Sequence, residues 1–182
     1  MVNHSASVFR TKLGWTALYL IQNEVSDLVF GYESADAALS ALQRRRGIIN
    51  QLNTTPRSLM RQICDFAAGH VVDLRDVPVY LGKTTRFQRN VIDQCRAIPY
   101  GATASYGELA ACAGYPRAAR AVGSVMSRNR VPLIVPCHRV ITAAGKLGNY
   151  SGPQGVQTKK KLLAMECRAQ LPPSRTNAAS TS

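Results

Sequence analysis

The sequence lacks features that would place it in several common classes of protein. None of its apolar runs approaches the roughly 18 residues that a membrane-spanning helix needs, although the chain has 182 residues. The first residues show no basic start followed by a long apolar stretch, so we expect no secretory signal. We therefore expect a soluble globular protein of the cytosol, or of the nucleus if the source is a eukaryote.

Metal-binding and disulfide-forming residues are also scarce. The five cysteines are odd in number and form no C-x-x-C pair, which argues against a disulfide framework, a zinc ribbon and a redox dithiol. The three histidines do not indicate a metal site, since residues 1–63 hold only one of them, His4, and no cysteine. We expect reduced thiols, no bound metal and no cofactor.

Acidic residues are rare in one half of the chain. Residues 1–82 carry eight Lys or Arg and seven Asp or Glu, a net charge of +1, whereas residues 83–170 carry fourteen against three, a net charge of +11. Arg175 completes the total of +13. A localised excess of this kind favours a polyanion such as nucleic acid, although a solvated basic surface without a specific partner remains the alternative.

The first half has the pattern of a small α+β domain, which we place at residues 1–74. Runs of aromatic and aliphatic residues predict strands, and apolar residues at helical spacing predict helices, the first of them capped by Ser34. The predicted strands are 15–21, 27–32 and 71–74, and the predicted helices are 35–46 and 57–68.

The second half is predicted to be a mainly helical domain at residues 86–170, joined to the first by a linker at 75–85. Apolar residues repeat every three or four positions over 87–98, and a last helix is predicted over 156–168. Residues 171–182 are rich in Pro, Ser, Thr, Asn and Ala, so we expect a disordered tail.

Two short segments of this half predict a helix-turn-helix. Ser105 and Glu108 match a capping box, which predicts a helix to Ala113. A glycine turn follows, and Pro116 suits the first position of a second helix over 116–127. One face of that helix carries Arg117, Arg120 and Ser124. Helix, turn and basic helix are typical of a DNA-binding motif, although helix corners in protein cores share the pattern.

A thiol and an imidazole stand side by side where an apolar segment ends. Residues 133–135 predict a buried strand or a core-filling segment that must turn at Pro136. Cys137 and His138 follow at once. A cysteine acts as a nucleophile when a base takes its proton or its pKa is lowered, and His138 could serve as that base, directly or through water.

A carboxylate behind the histidine would fix its tautomer. Glu166 is the candidate, because Glu108 belongs to the capping box and Asp93 lies on an earlier helix. An isolated Cys-His pair is more often a small buried residue beside an ordinary histidine, so this pair alone does not establish catalysis.

Several motifs in order, however, resemble the O6-alkylguanine-DNA alkyltransferase family. The pentapeptide 136–140 resembles the active-site signature of the family, and 117–123 resembles its recognition helix. The other matching segments are 87–91, 98–101, 105–110, Asn129, 148–152 and 162–166. The resemblance covers about residues 86–168 and is weak over 1–82. Arg130, Ile92 and Pro153 depart from the usual proline, tryptophan and glycine.

The resemblance implies direct repair of double-stranded DNA. The protein would bind the minor groove as a monomer, flip out the alkylated base and transfer its alkyl group to Cys137, each molecule acting once. O6-alkylguanine, and O4-alkylthymine as well, would be substrates. The implied catalytic residues are Cys137, His138, Glu166, Asn129 and Tyr106. The implied DNA contacts are Tyr106, Arg117, Arg120, Ser124 and Arg128. The implied pocket residues are Met126, Val140, Tyr150 and Ser151.

Two other classes of protein share part of this pattern. A non-catalytic sensor of alkylation damage, or a helix-turn-helix regulator, would bind DNA without needing Cys137. A cysteine hydrolase would use the Cys-His pair but would leave the basic helix unexplained. The order of the motifs favours alkyl transfer over both.

Overall fold

The computed structural model describes residues 3–49 and 55–170. The chain opens with an antiparallel sheet in the order β1-β2-β3, followed by two helices, and this confirms the predicted α+β organisation. These elements are β1 (His4–Thr11), β2 (Gly14–Ile21), β3 (Glu24–Tyr32), α1 (Ala35–Arg46) and α2 (Arg57–Ala67).

The sheet has one strand more at its start than the sequence predicted. Strand β1 pairs with β2 along its whole length, but the small polar residues Ser5 and Ser7 conceal its alternation. Strand β3 begins at Glu24, earlier than predicted, because the hairpin turn needs only Gln22 and Asn23. Both have positive φ, 52° and 65°, as a tight hairpin turn requires.

Both faces of the sheet are covered. Helix α1 begins where Ser34 Oγ accepts a hydrogen bond from the Ala37 N–H at 3.1 Å, as predicted. It packs against one face through a cluster of Ala17, Val29, Ala38, Ala41 and Leu42. The other face contributes Leu18, Leu20, Leu28 and Phe30 to the main core.

The second half is mainly helical, as predicted. Its elements are α3 (Arg86–Ala97), β4 (Ala104–Ser105), α4 (Tyr106–Cys112), α5 (Ala119–Ser127), a turn of 3-10 helix (Cys137–Arg139), β5 (Val140–Ile141) and α6 (Val156–Gln170). Strands β4 and β5 pair in parallel, Ala104 with Val140 and Ser105 with Ile141. This short pair joins the start of α4 to the residues that follow Cys137.

Helices α4 and α5 pack against each other as the predicted helix-turn-helix. The capping box is confirmed, since Ser105 Oγ accepts from the Glu108 N–H at 3.1 Å and Glu108 Oε2 accepts from the Ser105 N–H at 2.7 Å. The predicted start of α5 at Pro116 is wrong. A turn closed by the Ala118 N–H and the Tyr115 carbonyl, 2.9 Å apart, delays the helix to Ala119.

The strand predicted at 71–74 is also wrong. Val71 is 66% exposed, and an ion pair between Asp73 and Arg75 bends the chain there. The linker instead supplies Val79, which bridges to Val25 of β3 in parallel. Helix α6 extends to Gln170, and the tail predicted to be disordered, 171–182, lies outside the described residues.

One hydrophobic core runs through both halves of the chain. It includes Phe9 and Leu28 from the sheet and Val91, Leu133 and Leu162 from the second half. The predicted boundary at residues 75–85 therefore does not divide the core. Among the described residues, no helix is long and apolar enough to cross a membrane.

Candidate active site

The segment before Cys137 is a buried turn, not a strand. The Val135 N–H donates to the Val131 carbonyl at 2.9 Å, and Leu133 has a φ of 72°. This left-handed conformation costs a residue with a side chain about 1–2 kcal/mol, and such conformations occur preferentially at functional sites. Val131, Cys137 and residues 133–135 are at most 5% exposed. The thiol is therefore presented by a closely packed turn.

Asn129 holds this turn and the thiol together. Its Nδ2 donates to the Val135 carbonyl at 2.7 Å and to Cys137 Sγ at 3.1 Å, while its Oδ1 accepts from the Val131 N–H at 3.0 Å. One amide side chain thus fixes both ends of the turn. Its donation to sulfur favours the thiolate over the thiol.

The electrostatic environment of Cys137 contains opposing effects. Burial raises the pKa of the Cys137 thiol, whereas the hydrogen bond from Asn129 and the positive charge of Lys159 lower it. The net direction is upward, so the group is a thiol at neutral pH. It needs a base to become a nucleophile.

His138 and Glu166 form a fully buried pair. His138 Nε2 lies 2.7 Å from Glu166 Oε1, and both side chains have no exposed surface. Burial by itself would raise the pKa of Glu166, but the hydrogen bonds from His138 and Arg139 outweigh it and lower that pKa to about 2. Glu166 is therefore a carboxylate, which can only accept hydrogen bonds.

This carboxylate determines the tautomer of His138. Because Glu166 accepts, Nε2 carries the proton and Nδ1 keeps its lone pair. Burial lowers the pKa of His138 despite the nearby carboxylate, so the ring is neutral at neutral pH. Nδ1 is buried and has no hydrogen-bond partner within the described part of the chain. It is the atom of this pair that can accept a proton.

Arg139 completes the surroundings of Glu166, a role that the sequence did not indicate. Its Nε donates to Oε2 and its Nη2 to Oε1, both at 3.0 Å, and the Gly101 N–H donates to Oε2 at 2.9 Å. Nη1 donates to the Ile98 carbonyl at 2.7 Å. A buried carboxylate needs such partners to offset its desolvation. The need for a cation beside Glu166 is the signal that could have identified Arg139.

Lys159 is a second functional residue that sequence reasoning missed. Its side chain has no exposed surface, its Nζ donates to the Val140 carbonyl and lies 5.9 Å from the centre of the Tyr106 ring. Burial lowers the pKa of Lys159, and its charge favours the Cys137 thiolate. Its spacing from Leu162 and Glu166 on one face of α6 could have revealed its burial.

A cavity of about 520 Å³ opens onto Cys137. It brings Cys137 together with six of the predicted residues. They are Tyr106, Arg120, Ser124, Met126, Tyr150 and Ser151. The volume is in the range of small-molecule sites, roughly 300–1,000 Å³. The thiol can therefore meet a compact organic group in this cavity.

Three of the residues predicted to contact DNA or to line the pocket do not line this cavity. Val140 is fully buried in the core, because β5 pairs with β4 at this residue, so the structure does not place it in the pocket. Arg117 lies in the turn before α5, and Arg128 lies at the other end of that helix beside a different cavity.

Tyr106 forms one wall of the cavity. Burial and the negative charge of a Cys137 thiolate raise the pKa of Tyr106, so its hydroxyl keeps its proton and can donate it. Gly148, with a φ of 69°, passes close to this hydroxyl, and a Cβ there would lie 3.1 Å from it. The close approach requires glycine. A thiol, a base and a proton donor around one cavity suit the transfer of an electrophilic carbon to sulfur.

The exposed surface of α5 and of the residues at its two ends carries charge of one sign beside this cavity. Arg117, Arg120 and Arg128 are exposed, and their side chains make no hydrogen bond or ion pair to any described residue. These cations are available to a polyanion such as a phosphate backbone. Within residues 3–49 and 55–170, no group of three or more His, Cys, Asp or Glu is arranged to hold a metal ion.

Known proteins resemble this chain in sequence. Residues 86–168 match the family model described as the DNA-binding domain of 6-O-methylguanine DNA methyltransferase. A methylated-DNA–protein-cysteine methyltransferase of Mycolicibacterium paratuberculosis is 44% identical over 109 residues, 60% of this chain and 64% of that protein. That of Salmonella typhimurium is 42% identical over 123 residues, 68% of this chain and 70% of that protein.

Solved structures resemble the chain over nearly its whole length. The crystal structure of Mycobacterium tuberculosis O6-methylguanine methyltransferase has a TM-score of 0.75 and 30% identity, and the match covers 94% of this chain and 96% of that one. A structure of the protein OGT from the same organism in complex with DNA has a TM-score of 0.72 and 32% identity, covering 91% and 94%.

Proposed function

This chain belongs to the family of the methylated-DNA–protein-cysteine methyltransferases, and we propose that it repairs DNA by transferring alkyl groups from O6 of guanine to Cys137. The observation that carries this proposal is the Cys137 thiol at the cavity, next to a histidine with a free, buried Nδ1. We propose O4-alkylthymine as a second substrate, because its alkyl carbon is likewise bonded to an oxygen of a base that can leave as an anion.

The reaction begins with removal of the thiol proton. His138 Nδ1 takes it, directly or through a water molecule, and the Glu166 carboxylate stabilises the imidazolium that forms. The sulfur then attacks the alkyl carbon. A C–S bond forms, the bond from that carbon to O6 breaks, and its electron pair moves to the guanine.

Tyr106 neutralises the leaving guanine by donating its hydroxyl proton. The nearby Lys159 charge and solvent at the cavity mouth favour the transient phenolate and its reprotonation. The product is a thioether, and the site holds no group that could break it. Each protein molecule therefore acts once.

We assign DNA binding to the exposed arginines on α5 and at its two ends. The unpaired arginines bind phosphates, α5 enters the minor groove, and the damaged nucleotide turns outward into the cavity. Arg120 lines that cavity while remaining exposed, so it can occupy the space that the base leaves. The protein acts as a monomer, since one chain carries the thiol, base, proton donor and basic face.

The decisive experiment uses a duplex with one O6-methylguanine. Incubation should add the mass of one methyl group to the peptide that contains Cys137, at one per protein molecule. A second duplex with O4-methylthymine tests the other substrate. Methylation of a different cysteine would identify a different acceptor. Binding of the duplex without any transfer would indicate a damage sensor.

Base flipping is tested by Arg120→Ala. Transfer from duplex DNA should slow about tenfold, whereas alkylation of Cys137 by iodoacetamide should not change. Arg61→Ala removes an exposed arginine on α2, outside this cavity, and is the matched control. Equal reactivity of the Arg120 variant toward duplex DNA would refute a role in flipping.

A further inference from the structure

A buried carboxylate far from Cys137 in sequence connects the N-terminal sheet to the active site. Asp27 on β3 has no exposed surface, and it accepts hydrogen bonds from Arg46 Nε and Arg130 Nε, the latter at 2.6 Å. Arg46 ends α1, whereas Arg130 follows α5 in the other half of the chain. We propose that Asp27 is a positioning residue for alkyl transfer, acting through Arg130 and Asn129 on Cys137; this inference rests on the proposed function.

Arg130 is fixed through both its side chain and its main chain. Its Nη2 donates to the Arg45 carbonyl at 3.0 Å, and its own carbonyl accepts from the Leu28 N–H at 2.8 Å. Arg45 Nη1 also donates to that carbonyl at 3.4 Å. Strand β3 and the end of α1 thus hold this residue on three sides.

Asn129, the residue directly before Arg130, contacts the nucleophile. Its amide donates to Cys137 Sγ at 3.1 Å and to the Val135 carbonyl at 2.7 Å. Adjacent residues share a planar peptide bond, so a shift of Arg130 changes the direction in which the Asn129 side chain points. A hydrogen bond to sulfur depends strongly on that direction.

The burial of Asp27 explains why this connection is rigid. The Arg130 side chain is 46% exposed, so water could solvate it without an ion pair, whereas the Asp27 carboxylate has no access to water. A buried carboxylate with two charge-assisted hydrogen bonds holds its partners firmly. The nearly neutral first half therefore contributes more than packing: it fixes the orientation of the hydrogen bond to the nucleophile.

The same strand also touches the opposite wall of the site. Residues 28–30 of β3, Asn129 and the loop Tyr150–Pro153 line one small crevice. Gly31 approaches the Pro153 ring, which would lie 3.7 Å from a Cβ at that glycine. Both loops that border Cys137 therefore rest on β3.

The test compares Asp27→Asn, Arg130→Gln and the double variant with the wild-type protein. Iodoacetamide alkylation is followed between about pH 6 and pH 10 by mass spectrometry of the Cys137 peptide. We expect alkylation of the Asp27→Asn variant to be about tenfold slower on the acid side of the titration, as for a thiol pKa about one unit higher, because misdirection of Asn129 weakens its support of the thiolate. Methyl transfer at saturating DNA should slow about tenfold near neutral pH, with the Kd for DNA unchanged.

Arg130→Gln should produce the same direction of change, and the double variant should be no slower than the slower single variant, because both act through one contact. Asp73→Asn, which removes an exposed ion pair, is the matched control and should leave the profile unchanged. A lower Tm with an unchanged Cys137 profile would overturn the proposal and leave Asp27 a merely structural residue. If Asp27→Asn does not fold, the alkylation profile of Arg130→Gln tests the proposal by the same criteria.

The two proposals can fail separately. Should the wild-type protein react with iodoacetamide but accept no methyl group from DNA, the proposed function fails while the pH profiles still test Asp27. Should transfer from DNA occur normally in all variants, the proposed function stands and the role of Asp27 is refuted.

Discussion

The buried cluster at Cys137 and the exposed face of α5 use charged residues in opposite ways. In the cluster, Glu166, Arg139 and Lys159 are almost completely buried, and each has a hydrogen-bond partner at a fixed distance. Arg117, in the turn before α5, and Arg120, on α5, are exposed and have no partner in the described part of the chain. Charges that orient a reaction are paired, and charges that attract a polyanion are left unpaired.

A rise in salt concentration should therefore affect the two regions differently. Ions screen exposed charges within a Debye length, whereas buried pairs are screened much less. DNA affinity should fall steeply as salt rises, while the reactivity of Cys137 toward a small alkylating agent should stay nearly constant. Three substitutions sharpen this comparison further.

The largest effect is expected within the buried cluster, from Glu166→Gln. A neutral amide cannot stabilise the imidazolium and leaves Arg139 without its counter-ion, so methyl transfer should slow about a hundredfold or more. Single-turnover kinetics at saturating DNA measure this loss. A loss of DNA affinity with an unchanged transfer rate would contradict the assignment.

The same variant tests the acid stability of the cluster. The pKa of Glu166 is lowered from 4.5 to about 2, so its contribution to the free energy of unfolding is full above pH 4.5 and is lost as the pH falls towards 2. That contribution amounts to about 3 kcal/mol at most. Denaturant unfolding should show that the difference in the free energy of unfolding between wild type and Glu166→Gln becomes smaller as the pH falls through this interval.

A smaller effect is expected from Lys159→Met, which removes a buried charge but keeps the length of the side chain. The pKa of Cys137 should rise, because a cation that favours the thiolate is lost. Transfer near neutral pH should slow about tenfold and recover at higher pH. Lys160→Met, its exposed neighbour, is the control and should leave the pH–rate profile unchanged.

The smallest effect is expected on the exposed face, from Arg117→Ala. Loss of one phosphate contact should weaken DNA binding about fivefold and reduce the slope of log affinity against log salt by about 0.9. Titrations at several salt concentrations measure both quantities. Arg61→Ala provides the control, because Arg61 is 85% exposed but lies in the nearly neutral half.

The sequence predicted those site residues whose setting in the chain distinguishes them from other residues of the same type. Cys137 and His138 stand together after Pro136, and Glu166 is one of three acids in the basic half. Lys159 and Asp27 have no such distinguishing setting, and Arg139, although it follows His138, shows no sign in the sequence of its contact with Glu166. An arginine or a lysine is normally exposed, and contacts between residues 27 and 130, or 101 and 166, depend on the folded chain.

The fold was predictable to a similar extent. Capping residues such as Ser34 and Ser105 act within one helical turn, and both predictions are confirmed. Strand β1 was missed because Ser5 and Ser7 conceal its alternation, and the strand at 71–74 was wrong because these residues pair with none of the described strands. Pro116 is compatible with a turn as well as with a helix start, and local pattern alone cannot distinguish the two.

The parallel pair of β4 and β5 acts as a spacer between two reacting groups. Tyr106 follows β4 directly, and two residues separate Cys137 from the start of β5. Paired strands stay roughly 4.8 Å apart, so the proton donor and the nucleophile cannot separate without breaking this ladder. Two backbone pairs thereby keep the main chain that bears Tyr106 close to the main chain that bears Cys137, on the two sides of one cavity.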